Sequence, residues 1–249
     1  MKILTWNCNG ALRKKLPDLD ALQVDVLVVQ ECEDPQFYKG HYQDWAGDYL
    51  WVGENKNKGI GIFPKNGSRI VKLPWHGQFT IKGLVSAHKG TSWVTSDLKL
   101  FLPFSINEQI TVLAVWTKGG EDEAFRYVGQ LWKFLQIHSR DLSGPSTMIM
   151  GDLNSNAIWD KADRWWSHTG VVSELANIGI TSLYHQGMQE EQGAESTPTF
   201  YMHRNLNKPY HIDYAFASAD LSASSIAVGE PSDWLHLSDH MPMVVTVCS

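Results

Sequence analysis

Thr147-Met148-Ile149-Met150-Gly151-Asp152-Leu153-Asn154 is the stretch on which the rest of the chain turns. Its first four residues have the length and apolar character of a buried strand. A glycine follows, and then a carboxylate and an amide where the chain leaves the strand. The same layout recurs on either side. Residues 3–7 alternate and end in Asn7. Asp25-Val26-Leu27-Val28-Val29-Gln30 is a continuous apolar run, suited to a strand covered on both faces, and it runs into Glu31. Asp213 lies within His211-Ile212-Asp213-Tyr214, and Asp239-His240 stand just before the apolar run 243–247.

Further strands are expected at 59–63, 80–86, 110–116 and 212–217. Residues 11–22 read as a weak helix limited by Pro17. Residues 121–137 read as the best helix, with acidic residues in its first turn and Ala124, Val128, Leu131 and Leu135 at helical spacing. Residues 169–177 form another, with Gly179 placed to end it. Strands and helices mixed along one chain, without repeat or linker, indicate an α/β class.

With 249 residues, 43% of them hydrophobic, the chain can bury a sizeable core. It has no apolar run near the length of a membrane span and no secretory pattern at Met1-Lys2-Ile3. A cytoplasmic protein without a membrane partner is the expectation. Three cysteines, Cys8, Cys32 and Cys248, without CxxC or His/Cys spacing, argue against a disulfide framework or zinc. Cys8 and Cys32 directly follow Asn7 and Glu31, and neighbours in a strand point to opposite faces, so both thiols are expected to point away from any site. A net charge of −6 with no Lys/Arg block speaks against a non-specific, high-affinity duplex binder.

A sheet can gather strand-end residues along one rim, where carboxylates, amides and one imidazole would converge. An isolated acid at a strand end is ordinarily a solvated boundary residue; five beside strongly apolar runs form a pattern. Hard oxygen donors without thiolates select Mg²⁺ or Mn²⁺, and Mg²⁺ keeps waters for substrate phosphates. That chemistry suits phosphoester hydrolysis better than a closed structural metal site.

Thr5-Trp6-Asn7, Val29-Gln30-Glu31, Gly151-Asp152-Leu153-Asn154, His211-Ile212-Asp213-Tyr214 and Ser238-Asp239-His240 occur in this order across nearly the whole chain. Together they resemble the motifs of the endonuclease/exonuclease/phosphatase superfamily, of the exonuclease III and deoxyribonuclease I type. The resemblance implies one domain over 1–249, built as a four-layer α-β-β-α sandwich of two packed mixed sheets flanked by helices. It implies a metal-dependent phosphoric ester hydrolase with Mg²⁺ or Mn²⁺ on Glu31, supported by Asn7 and Asp239. Asp152 would orient and deprotonate the attacking water, and Asn154 would hold that water or a phosphate oxygen. His240 would donate to a non-bridging oxygen, with Asp213 fixing its tautomer. Each role is physically reasonable, since a positioned base, preorganised donors and a carboxylate behind an imidazole are what such a reaction requires. Thr197-Pro198-Thr199-Phe200 resembles an element that supports the site in this superfamily.

One position departs from the pattern. Many relatives carry His or Tyr at the end of the central strand, where residues 110–115 here run into Trp116. An indole has one N–H donor and no titratable group. Trp116 could contact a phosphate or stack on a substrate ring but could not act as an acid, which would leave that task to water or Lys118; a shift of one residue would make Trp116 a core aromatic. Tryptophan is abundant, with 11 residues, so recognition of a planar group by Trp165, Trp166, Trp234, Trp51 or Trp75 is weighed against plain core filling. The histidines other than His240 show no metal-ligand spacing and are expected mostly on the surface or in loops. The substrate stays open between nucleic acid, DNA or RNA, and a small phosphoester such as a nucleotide, sugar phosphate or lipid headgroup. A non-catalytic binding domain of the same fold is the third reading.

Overall fold

In the computed structural model, which describes residues 1–81, 92–120, 124–221 and 224–247, the apolar runs pair into two six-stranded sheets. The first has the order β15 (Ser225–Val228), β16 (Met243–Thr246), β1 (Lys2–Asn7), β2 (Val26–Cys32), β4 (Lys58–Pro64), β3 (Leu50–Asn55). The second has the order β11 (Ile180–Ser182), β14 (Asp213–Ser218), β10 (Thr147–Asp152), β9 (Ile110–Trp116), β8 (Phe101–Ile106), β5 (Ile70–Lys72). Each sheet centres on one parallel pair, β1 with β2 and β9 with β10, flanked by antiparallel neighbours. Two ribbons, β6 (Gln78–Thr80) with β7 (Ser92–Val94) and β12 (Phe200–Tyr201) with β13 (Pro209–Tyr210), sit outside the sheets.

The period of two along each strand sorts side chains into layers. Ile3, Val26, Val28, Ile60 and Ile62 of the first sheet meet Phe104, Val112, Ala114, Met148 and Met150 of the second. Leu4, Trp6, Leu27 and Val29 face the other way, against α1 (Leu16–Asp20), α2 (His41–Ala46) and α6 (Pro231–Trp234). On the far side Leu113, Ile149 and Phe216 pack on α3 (Val128–Leu142) and α4 (His168–Asn177). α5 (Leu183–Met188) follows β11. Helix, sheet, sheet and helix are therefore stacked as expected.

Several elements differ from the sequence reading. The long helix begins at Val128 rather than at 121, because Tyr127 adopts φ +55° and cannot extend it backwards. Residues 121–123, which were to supply acidic charge to its first turn, lie outside the described residues. The expected helix over 11–22 breaks into a 3₁₀ turn, Leu12–Lys14, and α1, with Ala11 at φ +52° and Pro17 in the first turn, where its missing N–H costs nothing. Most of the strand expected at 80–86 also falls outside the described residues, as do His88 and Cys248. No described helix is long and apolar enough to cross a membrane.

Candidate active site

Strand phase carries the polar residues to one place. In β1, β10, β14 and β9 the inward set includes Ile3, Met150, Ala215 and Ala114, so Asp152 and Trp116 two residues further on, Asn7 four further on and Asp213 two residues back also face the gap between the sheets. Asp152 lies opposite both Trp116 and Asp213 in register. Glu31 is out of phase by one residue. A register shift between Gln30 and Cys32, with Glu31 at φ +60°, turns its side chain back to Asn7. Cys8 and Cys32 stay in the outer helix-side cluster, away from the rim. Gly151 is needed for the close approach of β10 to β9, since a Cβ there would lie 1.8 Å from the Val115 carbonyl oxygen.

Asp152 is fully buried and collects three hydrogen bonds. Asn7 Nδ2 donates to its Oδ2 at 2.9 Å, the Asn154 backbone N–H to Oδ1 at 2.7 Å, and Asn154 Nδ2 to Oδ2 at 2.8 Å. Asn154 can do both because it occupies the left-handed region at φ +44°, a conformation that its short polar side chain tolerates. Burial nevertheless dominates and lifts Asp152 to about 7, opposed by the His240 charge and assisted by the Asp213 charge.

Asp213 and His240 form the facing pair. His240 Nδ1 donates to Asp213 Oδ2 at 2.9 Å, which leaves Nε2 directed elsewhere. Burial pulls His240 down, but the charge and hydrogen bond of Asp213, with further help from Asp152, hold it at about 9. Thr199 supports the pair: its Oγ1 accepts from the Ile212 and Asp213 N–H groups, each at 3.0 Å. Phe200 lies 4.6 Å from the His240 ring. Ser238 Oγ donates to the Asn7 carbonyl oxygen at 2.8 Å and accepts from the His240 N–H at 3.1 Å, and Trp6 Nε1 donates to the His240 carbonyl oxygen at 2.8 Å. The Ser238-Asp239-His240 turn is thereby clamped to β1.

Asp152, Asp213 and His240 bring ligand-capable atoms within 4.8 Å of one another, the one such grouping among the described residues. It is not the set Asn7, Glu31 and Asp239 on which the resemblance places an ion. Asn7 turns its nitrogen, not its oxygen, toward the acids: Nδ2 also donates to Glu31 Oε1 at 3.3 Å, while Oδ1 accepts from the Asn9 N–H. In this geometry Asn7 ties Glu31 to Asp152 rather than offering a ligand oxygen. Glu31 meets the Lys58 ammonium, so a cation already stands against its second oxygen. Asp239 is half-buried, and its carbonyl oxygen accepts from the Tyr201 N–H. Asp213 Oδ1 is buried without a hydrogen-bond partner. The orphaned Asp213 oxygen, beside the second carboxylate of Asp152, is a feature that a hard divalent cation would satisfy.

Trp116 ends its strand beside Asp152 but is only 6% exposed, packed in the core between the sheets, so its ring offers a ligand little surface. Lys118 lies over that ring at 5.4 Å and pairs with Glu54. The expectation of surface histidines is corrected in part: His138, His168 and His211 are buried and His185 half-buried, whereas His41, His76, His203 and His236 are exposed. Three of the buried or half-buried ones lie behind the site. His168 Nε2 donates to Gln192 Oε1 (3.0 Å), Gln192 Nε2 to His185 Nδ1 (3.2 Å), and His185 Nε2 to Glu195 Oε1 (3.0 Å). Asn156 Nδ2 donates to Glu195 Oε2 (3.0 Å) and to the His211 carbonyl oxygen (2.9 Å). Burial works against the Glu195 charge, but these donors and the Gly193 N–H outweigh it and hold the carboxyl at about 2. No sequence spacing announced this relay. Of the tryptophans considered for recognition, Trp234 is buried edge-on to Trp6, and Trp75 packs on Phe134 and His138 in the helix-side core.

The sequence matches the Endonuclease/Exonuclease/phosphatase family over residues 4–240. The chain belongs to this family. It is therefore a hydrolytic enzyme of the endonuclease/exonuclease/phosphatase type, and enzymes of the family are generally dependent on divalent metals. Solved structures share the fold. A 3' phosphatase (NExo) from Neisseria bound to a product DNA hairpin aligns over 100% of both chains, with TM-score 0.68 and 19% identity. An AP endonuclease from Archaeoglobus fulgidus aligns over 100% of both, with TM-score 0.66 and 17% identity. TDP2 from D. rerio, complexed with a single-strand DNA product, covers 100% of this chain and 99% of its own, with TM-score 0.59 and 15% identity. No curated protein matches the sequence.

Proposed function

We propose that residues 1–249 act as one domain that hydrolyses phosphodiesters of nucleic acid with Mg²⁺ or Mn²⁺, Asp152 serving as the base. The observation that carries this is the environment of Asp152: a buried carboxylate lifted to about 7, aimed by Asn7 and Asn154, against the Asp213–His240 pair. A base poised near neutrality has the proton affinity that water activation requires. Asp152 takes the proton of the water whose oxygen bonds to phosphorus as the P–O bond to the leaving group breaks. His240 donates from Nε2 to a non-bridging oxygen, where negative charge grows; Asp213 accepts from Nδ1, and its charge keeps the ring an imidazolium, protonated at both nitrogens. Asn154 holds the water or a phosphate oxygen.

Glu31, with Asp239 and the Asn7 amide alongside, would hold the divalent ion, which supplies Lewis-acid stabilisation of phosphoryl charge. Lys118, backed by the Trp116 ring, offers a cation to the substrate or its leaving oxygen. The DNA-bound proteins of the same fold favour a nucleic-acid substrate. The net charge of −6 favours the second reading, a small phosphoester.

The deciding experiment is a hydrolysis screen with Mg²⁺ or Mn²⁺ over single-stranded, duplex and abasic DNA, RNA, and generic phosphodiesters and monoesters. Turnover of oligonucleotides is expected. Turnover of generic esters alone would eliminate the nuclease reading. No turnover of any substrate, with no metal binding, would leave a binding domain.

A further inference from the structure

The segment immediately after the Asp152 motif exposes apolar surface that the fold does not use. Ile158 is 56% exposed, Trp159 48% and Trp165 56%, three of the large exposed hydrophobics within eight residues. An exposed aromatic beside a catalytic rim is a recognition feature only if it connects to the rim, and Trp159 does. From His240 the rings run to Phe200 at 4.6 Å, from Phe200 to Tyr210 at 6.4 Å, and from Tyr210 to Trp159 at 5.2 Å, with interplanar angles of 44°, 31° and 42°. Among the described residues Trp165 has no such path. It stands edge-on to Trp166 at 4.5 Å and reaches Trp132 of α3.

Trp159 is exposed but firmly held. Asn156 caps its turn, Ala157–Trp159, by accepting from the Ile158 N–H at 3.0 Å. The same amide donates to the His211 carbonyl oxygen, one residue after Tyr210, so the turn is tied to the strand end that carries its ring neighbour. Glu195 anchors Asn156 from behind. On the other side, Asp160 accepts from the His168 and Thr169 N–H groups at 2.8 and 2.9 Å, fixing the turn to the start of α4. A half-exposed indole braced on both sides loses little conformational freedom on binding, which favours it as a contact surface. Lys161 and Arg164 are exposed on the same segment and offer cations suited to a phosphate backbone.

We propose that Trp159, braced against Tyr210, is a stacking platform for an unpaired nucleobase flanking the scissile phosphate, which makes a locally single-stranded nucleic acid the preferred substrate. This rests on the nucleic-acid reading above and narrows it. A base inside a continuous duplex is already stacked on both faces; an unpaired base is free to lie on the ring. A net negative protein without a basic block would grip such a strand by stacking more than by charge.

The test compares the native enzyme with Trp159→Ala and Trp159→Phe. The probes are a single-stranded oligonucleotide, its duplex, and a strand of the same length whose flanking bases are replaced by tetrahydrofuran. For the native enzyme, KM on the base-bearing single strand is expected about tenfold below that on either other probe. Trp159→Ala should raise KM on the base-bearing strand about tenfold and leave the tetrahydrofuran strand unchanged, and Trp159→Phe should recover most of the loss. Equal KM values for native and Ala enzymes on the base-bearing strand would overturn the platform while leaving the nuclease reading standing. An equal loss on both strands would overturn it too, because that pattern belongs to a role in the fold. If the native enzyme cleaves generic diesters but no strand at all, the nuclease reading falls and the platform falls with it. Native self-association that Trp159→Ala abolishes would assign the patch to a second copy instead.

Discussion

Two carboxylate–imidazole groups lie on either side of the strand end at His211–Asp213, and they have opposite characters. At the rim, Asp152 is driven up to about 7 and Asp213 keeps an oxygen without a partner. Behind it, Glu195, with 4% of its side chain exposed, is less deeply enclosed than Asp152 and is held at about 2. Both acids receive amide donors and both neighbour a histidine. The differences are depth and completeness. Glu195 sits at the end of a relay in which every donor meets an acceptor, from His168 through Gln192 and His185. Asp152 shares its space with a second carboxylate, so its hydrogen bonds do not settle its charge. A buried acid whose charge is fully compensated braces structure; one left uncompensated has chemistry to do.

The comparison can be broken at the rim first. Asp152→Asn is expected to lower kcat on a phosphodiester by roughly 10²–10⁴-fold, the range of a positioned base. Retention of activity in a folded variant would show that Asp152 belongs with the structural acids. Next, Glu31→Gln should weaken Mg²⁺ or Mn²⁺ binding by about tenfold or more in isothermal titration calorimetry and abolish turnover in a folded protein. Normal metal affinity in an active variant would remove Glu31 from the ligand set.

The relay should respond through stability instead. Because the folded carboxyl of Glu195 is depressed, its contribution is full above the unfolded value near 4.5 and is lost as pH falls toward 2. Glu195→Gln is therefore expected to cost about 2 kcal/mol in urea unfolding at pH 7, and to converge on the native protein only as pH approaches 2. A penalty independent of pH would contradict the assigned charge state. Smallest is Gln192→Ala, which cuts the relay between His168 and His185; about 1 kcal/mol of stability should go, with kcat on a phosphodiester unchanged. A loss of kcat would mean that the relay reaches the rim.

The rim was legible in the sequence because its parts obey strand periodicity. Asp152 and Asp213 sit two residues beyond or before inward apolar side chains, and Asn7 four beyond Ile3, so the pattern that makes the sheet also aims the site. Glu31 was found by motif, and only the bulge explains how an out-of-phase residue arrives there. The relay was not legible: His168, His185, Gln192 and Glu195 come from separate loops and helices, joined by tertiary contact alone. Nothing in the sequence sets Trp159 apart from Trp165 and Trp166, because only the fold determines which indole meets Tyr210. The late start of α3 was hidden by acidic residues that imitate a helix N-terminus, whereas the break at Tyr127 depends on a single backbone angle.

The clamp that joins β1 to the Ser238-Asp239-His240 turn has a bearing on how the enzyme comes to life. Trp6 bonds His240 across 234 positions of the chain, and Ser238 bonds Asn7 across 231. β16, paired to β1, lies later still. During synthesis the first strand waits for nearly all of its successors before the imidazole can meet the acids. Contacts of such sequence separation are slow to form, so the candidate site would be assembled among the last events of folding.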